Sequence, residues 1–403
     1  MVTVEDVKKA YDNLKSTVRK TPIDESRTIS EITGGKVFLK AENLQKTGAF
    51  KIRGAFNKII NLSNEEQAKG VIAASAGNHA QGVALAASSA GIRSTIVMPE
   101  GASVTKVIAT KGYGANVVLS GQNYDESYKK ALELQKSEGS VFVHAFDDPY
   151  VIAGQGTIAI EILEELPETE FIIVPIGGGG LISGIAVAAK SLKPSVKIIG
   201  VQAEGAASAY KARQNNKIIE LESAYTIADG IAVRKTGDLT FSLIQKYVDD
   251  IITVNDEEIA HAILTLLERS KIVVEGAGAV GAAALIHNKL NIRDRNAVVV
   301  ISGGNIDANI VSRIIEKGLM KSGRYIRIAT VIEDRPGTLY TLLKTVASMR
   351  ANVVSIFHDR LKQSVPLGQS EVELELETRD PEHVAELLQA LEEKGYKIEV
   401  VDI

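Results

Sequence analysis

Three strand-length apolar runs in this chain end alike, in a cluster of small and polar residues that opens a helix. Val71–Ala74 runs into Ser75-Ala76-Gly77-Asn78-His79. Phe171–Val174 runs through Pro175-Ile176 into Gly177-Gly178-Gly179-Gly180, and Ala297–Ile301 runs into Ser302-Gly303-Gly304-Asn305. The stretches that follow, His79–Ala90, Leu181–Leu192 and Ile306–Glu316, have helical patterning. Alternation of this kind continues to about residue 320 and predicts an α/β fold of βαβ units around open, mostly parallel sheets. Ligands of such sheets bind beyond the carboxyl ends of the strands. Glycine lets the backbone approach a ligand, and the unpaired N–H groups of a helix start bind anions. Four consecutive glycines therefore suit a phosphate, and the serine and asparagine loops suit a carboxylate or a ring substituent. Taken singly, each loop reads equally well as a tight packing turn, and the sequence does not establish that the three converge.

A fourth glycine cluster reads differently. Gly276-Ala277-Gly278-Ala279-Val280-Gly281 fits the dinucleotide pattern G-x-G-x-x-G, but the next strand, Ala297–Ile301, ends in Ser302 rather than in the acid that holds a ribose. Residues 277–287 are expected to be a small-residue packing helix. The strand after the tetraglycine loop does end at Glu204, which keeps a nucleotide-dependent oxidoreductase as a rival.

Composition removes other classes. The 403 residues are too many for one ordinary core. A net charge of -4 offers no footprint for nucleic acid or anionic lipid. With no cysteine, disulfides and thiol chemistry are excluded, and a cytoplasmic location is expected. The opening MVTVEDVKKAYDNLKS reads as an amphipathic helix, not a signal peptide, and the apolar runs are too short to span a membrane. His144, His261, His287, His358 and His383 share no metal-ligand spacing, so no metal site is expected, and His79 is expected to position its loop.

Upstream of the loops lies Thr47-Gly48-Ala49-Phe50-Lys51-Ile52-Arg53-Gly54-Ala55. A lysine is ordinarily surface decoration. Here Phe50 gives apolar cover, Arg53 adds a nearby cation, and Gly48 and Gly54 leave room for a ligand. Desolvation beside a cation lowers an amine's pKa and readies it for Schiff-base chemistry.

With Thr47–Ala55, Ser75–Gly82 (SAGNHAQG), Asp147–Thr157 (DDPYVIAGQGT), Gly177–Leu181 and Ser302–Asn305 in this order, the chain resembles the fold-type II pyridoxal-phosphate enzymes over essentially its whole length, and within them the threonine dehydratases. The resemblance implies that Lys51 carries the cofactor covalently and that Gly177, Gly178, Gly179, Gly180 and Leu181 hold its phosphate. It implies Asn78 at the ring hydroxyl, Phe50 against the ring and Ser302 at the pyridine nitrogen. The loop Ser75, Ala76, Gly77, Asn78, His79 would take the substrate carboxylate. A neutral serine at the ring nitrogen favours prompt loss of a β-substituent. The implied reaction is elimination of water from threonine, or from serine as a second substrate, with Lys51 taking the Cα proton and a 2-oxoacid and ammonia as products. Serine racemase, the near relative, places a serine where this chain has Ala76, so racemisation is expected to be minor. It also binds a divalent cation. Here Glu204 fits that pattern but Tyr210 does not, which leaves a monovalent ion near Glu204 as an option. Threonine synthase and cysteine synthase are more distant readings.

After Lys321-Ser322-Gly323 the rhythm changes. Runs at Tyr325–Ile332, Thr338–Met349, Val353–Arg360, Glu371–Thr378, Pro381–Lys394 and Lys397–Val401 give the order βαββαβ of a ferredoxin-like unit. The expected organisation is a catalytic domain over 1–320, with a smaller subdomain at roughly 50–150 inserted in it, a linker at 321–324 and a second domain over 325–403. That second domain resembles an ACT domain. The resemblance implies an amino-acid effector held at Asp334, Pro336 and Gly337, completed by Asn352 across a contact between domains, and a homodimer or homotetramer. Two alternatives stay open: a serine dehydratase or racemase-like enzyme, and a non-catalytic amino-acid sensor.

Overall fold

In the computed structural model, which describes residues 1–401, backbone contacts divide the chain into two compact units, Met1–Ile306 and Asp307–Ile403.

The first unit holds two sheets. The larger has six strands in the spatial order Ile23–Glu25, Lys36–Ala41, Asn296–Ile301, Phe171–Pro175, Lys197–Ala203 and Asp250–Val254. All its pairings are parallel except the first, at the edge. The smaller sheet runs Asn116–Leu119, Ser94–Met98, Val71–Ala74, Val141–Phe142, wholly parallel, and is inserted between the second and fourth strands of the larger. Central strands such as Ile172–Val174 and Val298–Ile301 are buried on both faces, which is why they read as continuous apolar runs.

Both sheets direct their strand ends into loops followed by helices: Asn78–Ser89, Gly180–Leu192 and, after Asp250–Val254, Asp256–Thr265. The helix Gly276–Ile286 is buried along its whole length. A Cβ on Gly278 would lie 2.6 Å from the Gly303 carbonyl oxygen and one on Gly281 2.8 Å from Val299. Its glycines therefore serve close packing.

The second unit has the order βαββαβ, preceded by the helix Ala308–Lys321. Its antiparallel sheet runs Asn352–Asp359, Gln369–Glu377, Tyr325–Glu333, Ile398–Val400. In Gln369–Glu377 burial alternates strictly, with Val372, Leu374 and Leu376 facing the helices Thr338–Ser348 and Pro381–Glu393. The segment 321–324, expected as a linker, falls inside this unit. There Gly323, at φ +64, packs against Pro381, and the Thr378 hydroxyl donates to the Gly323 carbonyl at 2.6 Å.

Candidate active site

The asparagine loop and the Ser302–Asn305 loop meet, backbone hydrogen bonds draw the lysine segment into the latter, and the tetraglycine loop is reached through Ala145 and Phe146. Phe50 N–H donates to the Ser302 carbonyl at 3.1 Å and Gly304 N–H to the Gly48 carbonyl at 2.8 Å, with a bridge between Ala49 and Gly303. Gly48 has φ +72, which favours glycine. This junction sets Lys51 as the first residue of the helix Lys51–Ile60. Asn78, first residue of its own helix, accepts from Asn305 Nδ2 at 2.7 Å. Close packing completes the approach: a Cβ on Gly82 would lie 3.2 Å from the backbone of Lys51 and Ile52.

The Lys51 amine donates to the Ala145 carbonyl at 3.1 Å and lies 5.1 Å from the centre of the Phe50 ring. Burial pushes its pKa down to about 8, while the nearby Glu275 carboxylate works in the other direction. Arg53 does not contribute, contrary to the expectation from sequence. Its guanidinium is fully buried between Glu42 (2.8 Å) and Glu161 (2.6 Å), and Lys40 completes this cluster at 2.6 Å from Glu161. Loss of water alone makes the Lys51 amine available.

Next to Ala145, Phe146 touches the tetraglycine loop. A Cβ on Gly178 would sit 2.3 Å from the Phe146 ring, and one on Gly180 2.9 Å from its backbone. Gly179, at φ +100, caps the helix that begins at Gly180, and Leu181 is buried in its first turn. The Gly178 carbonyl is pinned by the Thr240 hydroxyl at 2.7 Å. Only glycine fits here, and the first N–H groups of the helix have no intrahelical partner. The loop can therefore hold a phosphate, and with the half-buried amine of Lys51 it fits a pyridine aldehyde carrying one.

In the asparagine loop, the Ser75 hydroxyl accepts from Gly77 N–H at 3.2 Å, and nothing lies within 4 Å of a Cβ built on Gly77, which leaves space beside the loop. Ala76 packs against the core of the smaller sheet. His79 is buried and bonded through Nε2 to the Val143 carbonyl at 2.9 Å, and burial pushes its pKa down to about 3, so it is a neutral group that holds the loop. His144 Nδ1 accepts from Asp147 N–H at 2.8 Å. Ser302 is buried at its strand end.

Sequence reasoning missed Glu275. This carboxylate accepts from Asn78 Nδ2 at 2.8 and 3.1 Å, and burial pushes its pKa up to about 7. Its one signal in the sequence is position: it immediately precedes the glycine pattern set aside as packing.

Other expected positions lie elsewhere. Glu204 is exposed in the turn Glu204–Ala206, and among the described residues no group of three or more His, Cys, Asp or Glu could hold a metal ion. No described helix is long and apolar enough to cross a membrane. In the second unit Asp334 pairs with Arg360 at 3.0 Å and Asn352 donates to Glu377 at 2.9 Å. The strand register sets Asn352 opposite Glu377 and Glu333 opposite Gln369, so Asn352 and Asp334 sit at opposite ends of one sheet. Gly337, at φ +95, opens the helix Thr338–Ser348 with nothing within 4 Å of a Cβ there, and Pro336 precedes it in the exposed turn.

Residues 14–303 match the family model of the pyridoxal-phosphate dependent enzymes. An L-threonine ammonia-lyase of Thermotoga maritima is 55% identical over 401 residues, 100% of both chains. Among solved structures, maize serine racemase superimposes with a TM-score of 0.75 at 38% identity, covering 79% of this chain and 98% of that one. The processed form of threonine deaminase isoform 2 from Solanum lycopersicum gives 0.73 at 36% identity, covering 77% and 93%.

Proposed function

This chain belongs to the pyridoxal-phosphate-dependent enzyme family, and from that premise we propose that it is an L-threonine ammonia-lyase, with L-serine as a second substrate. The full-length likeness to the Thermotoga maritima enzyme supports the substrate. The single observation that carries the chemistry is the Lys51 amine, half-buried, poorly solvated and held against the Ala145 carbonyl beside the Ser302–Asn305 loop.

When bound, pyridoxal phosphate supplies the electron sink that makes the substrate Cα–H acidic. Lys51 would hold the cofactor, and its amine would take the substrate Cα proton. Gly177–Gly180 and Leu181 would hold the phosphate by backbone N–H groups, Phe50 would flank the ring, and Asn78 would donate to the ring oxygen. Ser302, a neutral hydroxyl, would meet the ring nitrogen. The Ser75–His79 loop takes the substrate carboxylate, with Gly77 leaving room for it. The β-hydroxyl departs as water, and one water returns when the nitrogen is released as ammonia, leaving 2-oxobutanoate from threonine or pyruvate from serine. Ala76 offers a methyl group and no proton on that loop, which favours elimination over racemisation.

Borohydride reduction followed by peptide mapping tests the assignment, together with a 2-oxoacid assay on the wild type and on Lys51→Ala. Label on Lys51 and loss of turnover in the variant are expected. Wild-type turnover by the variant overturns it.

The unit over 325–403 is proposed to be an ACT domain in which an amino acid regulates the enzyme, in a homodimer or homotetramer. Its βαββαβ order and the open space at Gly337 support this. Because Asp334–Gly337 and Asn352 occupy opposite ends of the sheet, a ligand shared by both requires two copies of the unit. Amino acids at millimolar concentration that alter neither activity nor melting temperature overturn it.

A further inference from the structure

The hydrogen bonds around Asn78 form an oriented chain that ends on a buried acid. The Thr47 carbonyl can only accept, so Asn305 must present its amide nitrogen there, at 2.7 Å. The same nitrogen donates its second hydrogen to Asn78 Oδ1 at 2.7 Å. Asn78 must then turn its own nitrogen toward Glu275, where one N–H is shared between the two carboxylate oxygens at 2.8 and 3.1 Å. Its second N–H is left for a ligand. Two glycines make the space: a Cβ on Gly303 would lie 2.4 Å from Glu275 Oε1, and one on Gly230 3.4 Å from it. The second residue of the Ser302–Asn305 motif thus accommodates this acid.

We infer that Glu275 is a positioning residue for the cofactor: acting through Asn78 it fixes the direction of the free amide N–H, and it places a buried negative charge within electrostatic reach of Lys51. The inference rests on the cofactor placement proposed above. The charged groups that reach the Glu275 carboxylate are Lys51, Asp229 and Lys106, and the last two pair with each other at 2.8 Å. Above about pH 7, where the Glu275 carboxyl is ionised, its negative charge stabilises a protonated, positively charged group nearby, so Glu275 raises the pH at which the lysine–cofactor centre loses its proton.

The test compares Glu275→Gln, which keeps an acceptor but removes the charge, with Glu275→Asp, which keeps the charge but shortens the reach. Both are read by titrating the visible absorbance band of the holoenzyme and by the Kd for pyridoxal phosphate. In Glu275→Gln the band midpoint should fall by about one pH unit, the shift expected for loss of a nearby opposite charge. In Glu275→Asp the midpoint should stay near wild type while Kd weakens about tenfold, as for loss of one charged hydrogen bond. Combining Glu275→Asp with Asn78→Ala should weaken Kd no further than Asn78→Ala alone, since the two act in series. An unmoved midpoint in folded Glu275→Gln, labelled at Lys51 by borohydride, overturns the Glu275 assignment. Label elsewhere than Lys51 removes the cofactor placement instead. If neither Glu275 variant folds while Asn78→Ala does, the carboxyl serves packing and the inference falls.

Discussion

Lys51 and Arg53 stand two residues apart on one helix, yet the amine reaches the Ala145 carbonyl while the guanidinium is enclosed by Glu42 and Glu161. Residues at that spacing do not share a helical face. The Lys51 amine and the buried charge cluster therefore have separate surroundings, and substitution can tell them apart.

Replacing Arg53 by methionine leaves two buried carboxylates facing only Lys40 and hydroxyl groups. Removal of one partner from such a cluster costs about 3–5 kcal/mol. Urea denaturation should show a loss of that size. Any variant protein that folds should still be labelled by borohydride at Lys51.

Cofactor capture by the apoenzyme should follow the free amine of Lys51. With burial setting its pKa near 8, the rate of covalent capture should climb with pH and level off above about 8. Stopped-flow absorbance measures this. A rate still rising steeply above pH 9 would contradict the buried setting of the amine.

Acid should weaken the fold through His79. Its folded pKa, about 3, lies below the unfolded value of 6.5, so the unfolded chain binds more protons between them. The stabilising contribution is complete above pH 6.5 and is lost as pH falls toward 3, by about 1.4 kcal/mol per pH unit in that window. Glu275, with a folded pKa raised to about 7, acts in the opposite sense as pH rises from 4.5, so the wild-type curve alone does not isolate either group. The difference between wild type and His79→Gln does. Unfolding measured from pH 4 to 7 should show the variant losing less stability on acidification.

The two glycine loops should respond differently to a methyl group. Gly178→Ala forces a Cβ into the Phe146 ring, and overpacking of this kind costs about 1–3 kcal/mol. The melting temperature and the cofactor affinity should fall together. Gly77→Ala meets no neighbour, so its melting temperature should match wild type while KM for threonine rises. Calorimetry and steady-state kinetics separate the two.

Much of this was legible in the sequence because the strands and the helices differ in period. Val71–Ala74 falls where the apolar run places it, and the six elements from Tyr325 to Val400 follow the expected order with ends shifted by a residue or two. Loop convergence was not legible, since it depends on pairings such as Phe50 to Ser302 between residues far apart in the chain. The direction taken by Arg53 depends on Glu42 and Glu161, which belong to other elements. Glu275 was hidden for a related reason: a lone acid before a packing helix has no local mark, and its meaning comes from Asn78 and from the space left by Gly303.

The central position of Asn296–Ile301 in the larger sheet carries a cost during synthesis. This strand lies between Lys36–Ala41 and Phe171–Pro175 and is the last of the six to leave the ribosome. Until it arrives, the sheet is held as two halves whose apolar edges lack their partner, the kind of edge that invites pairing between chains. The nascent protein must keep those edges apart from the synthesis of Pro175 until Ile301 has emerged, and it cannot form the junction at Phe50 before Ser302 has followed. Messages truncated upstream of this strand should yield aggregates rather than a smaller working enzyme.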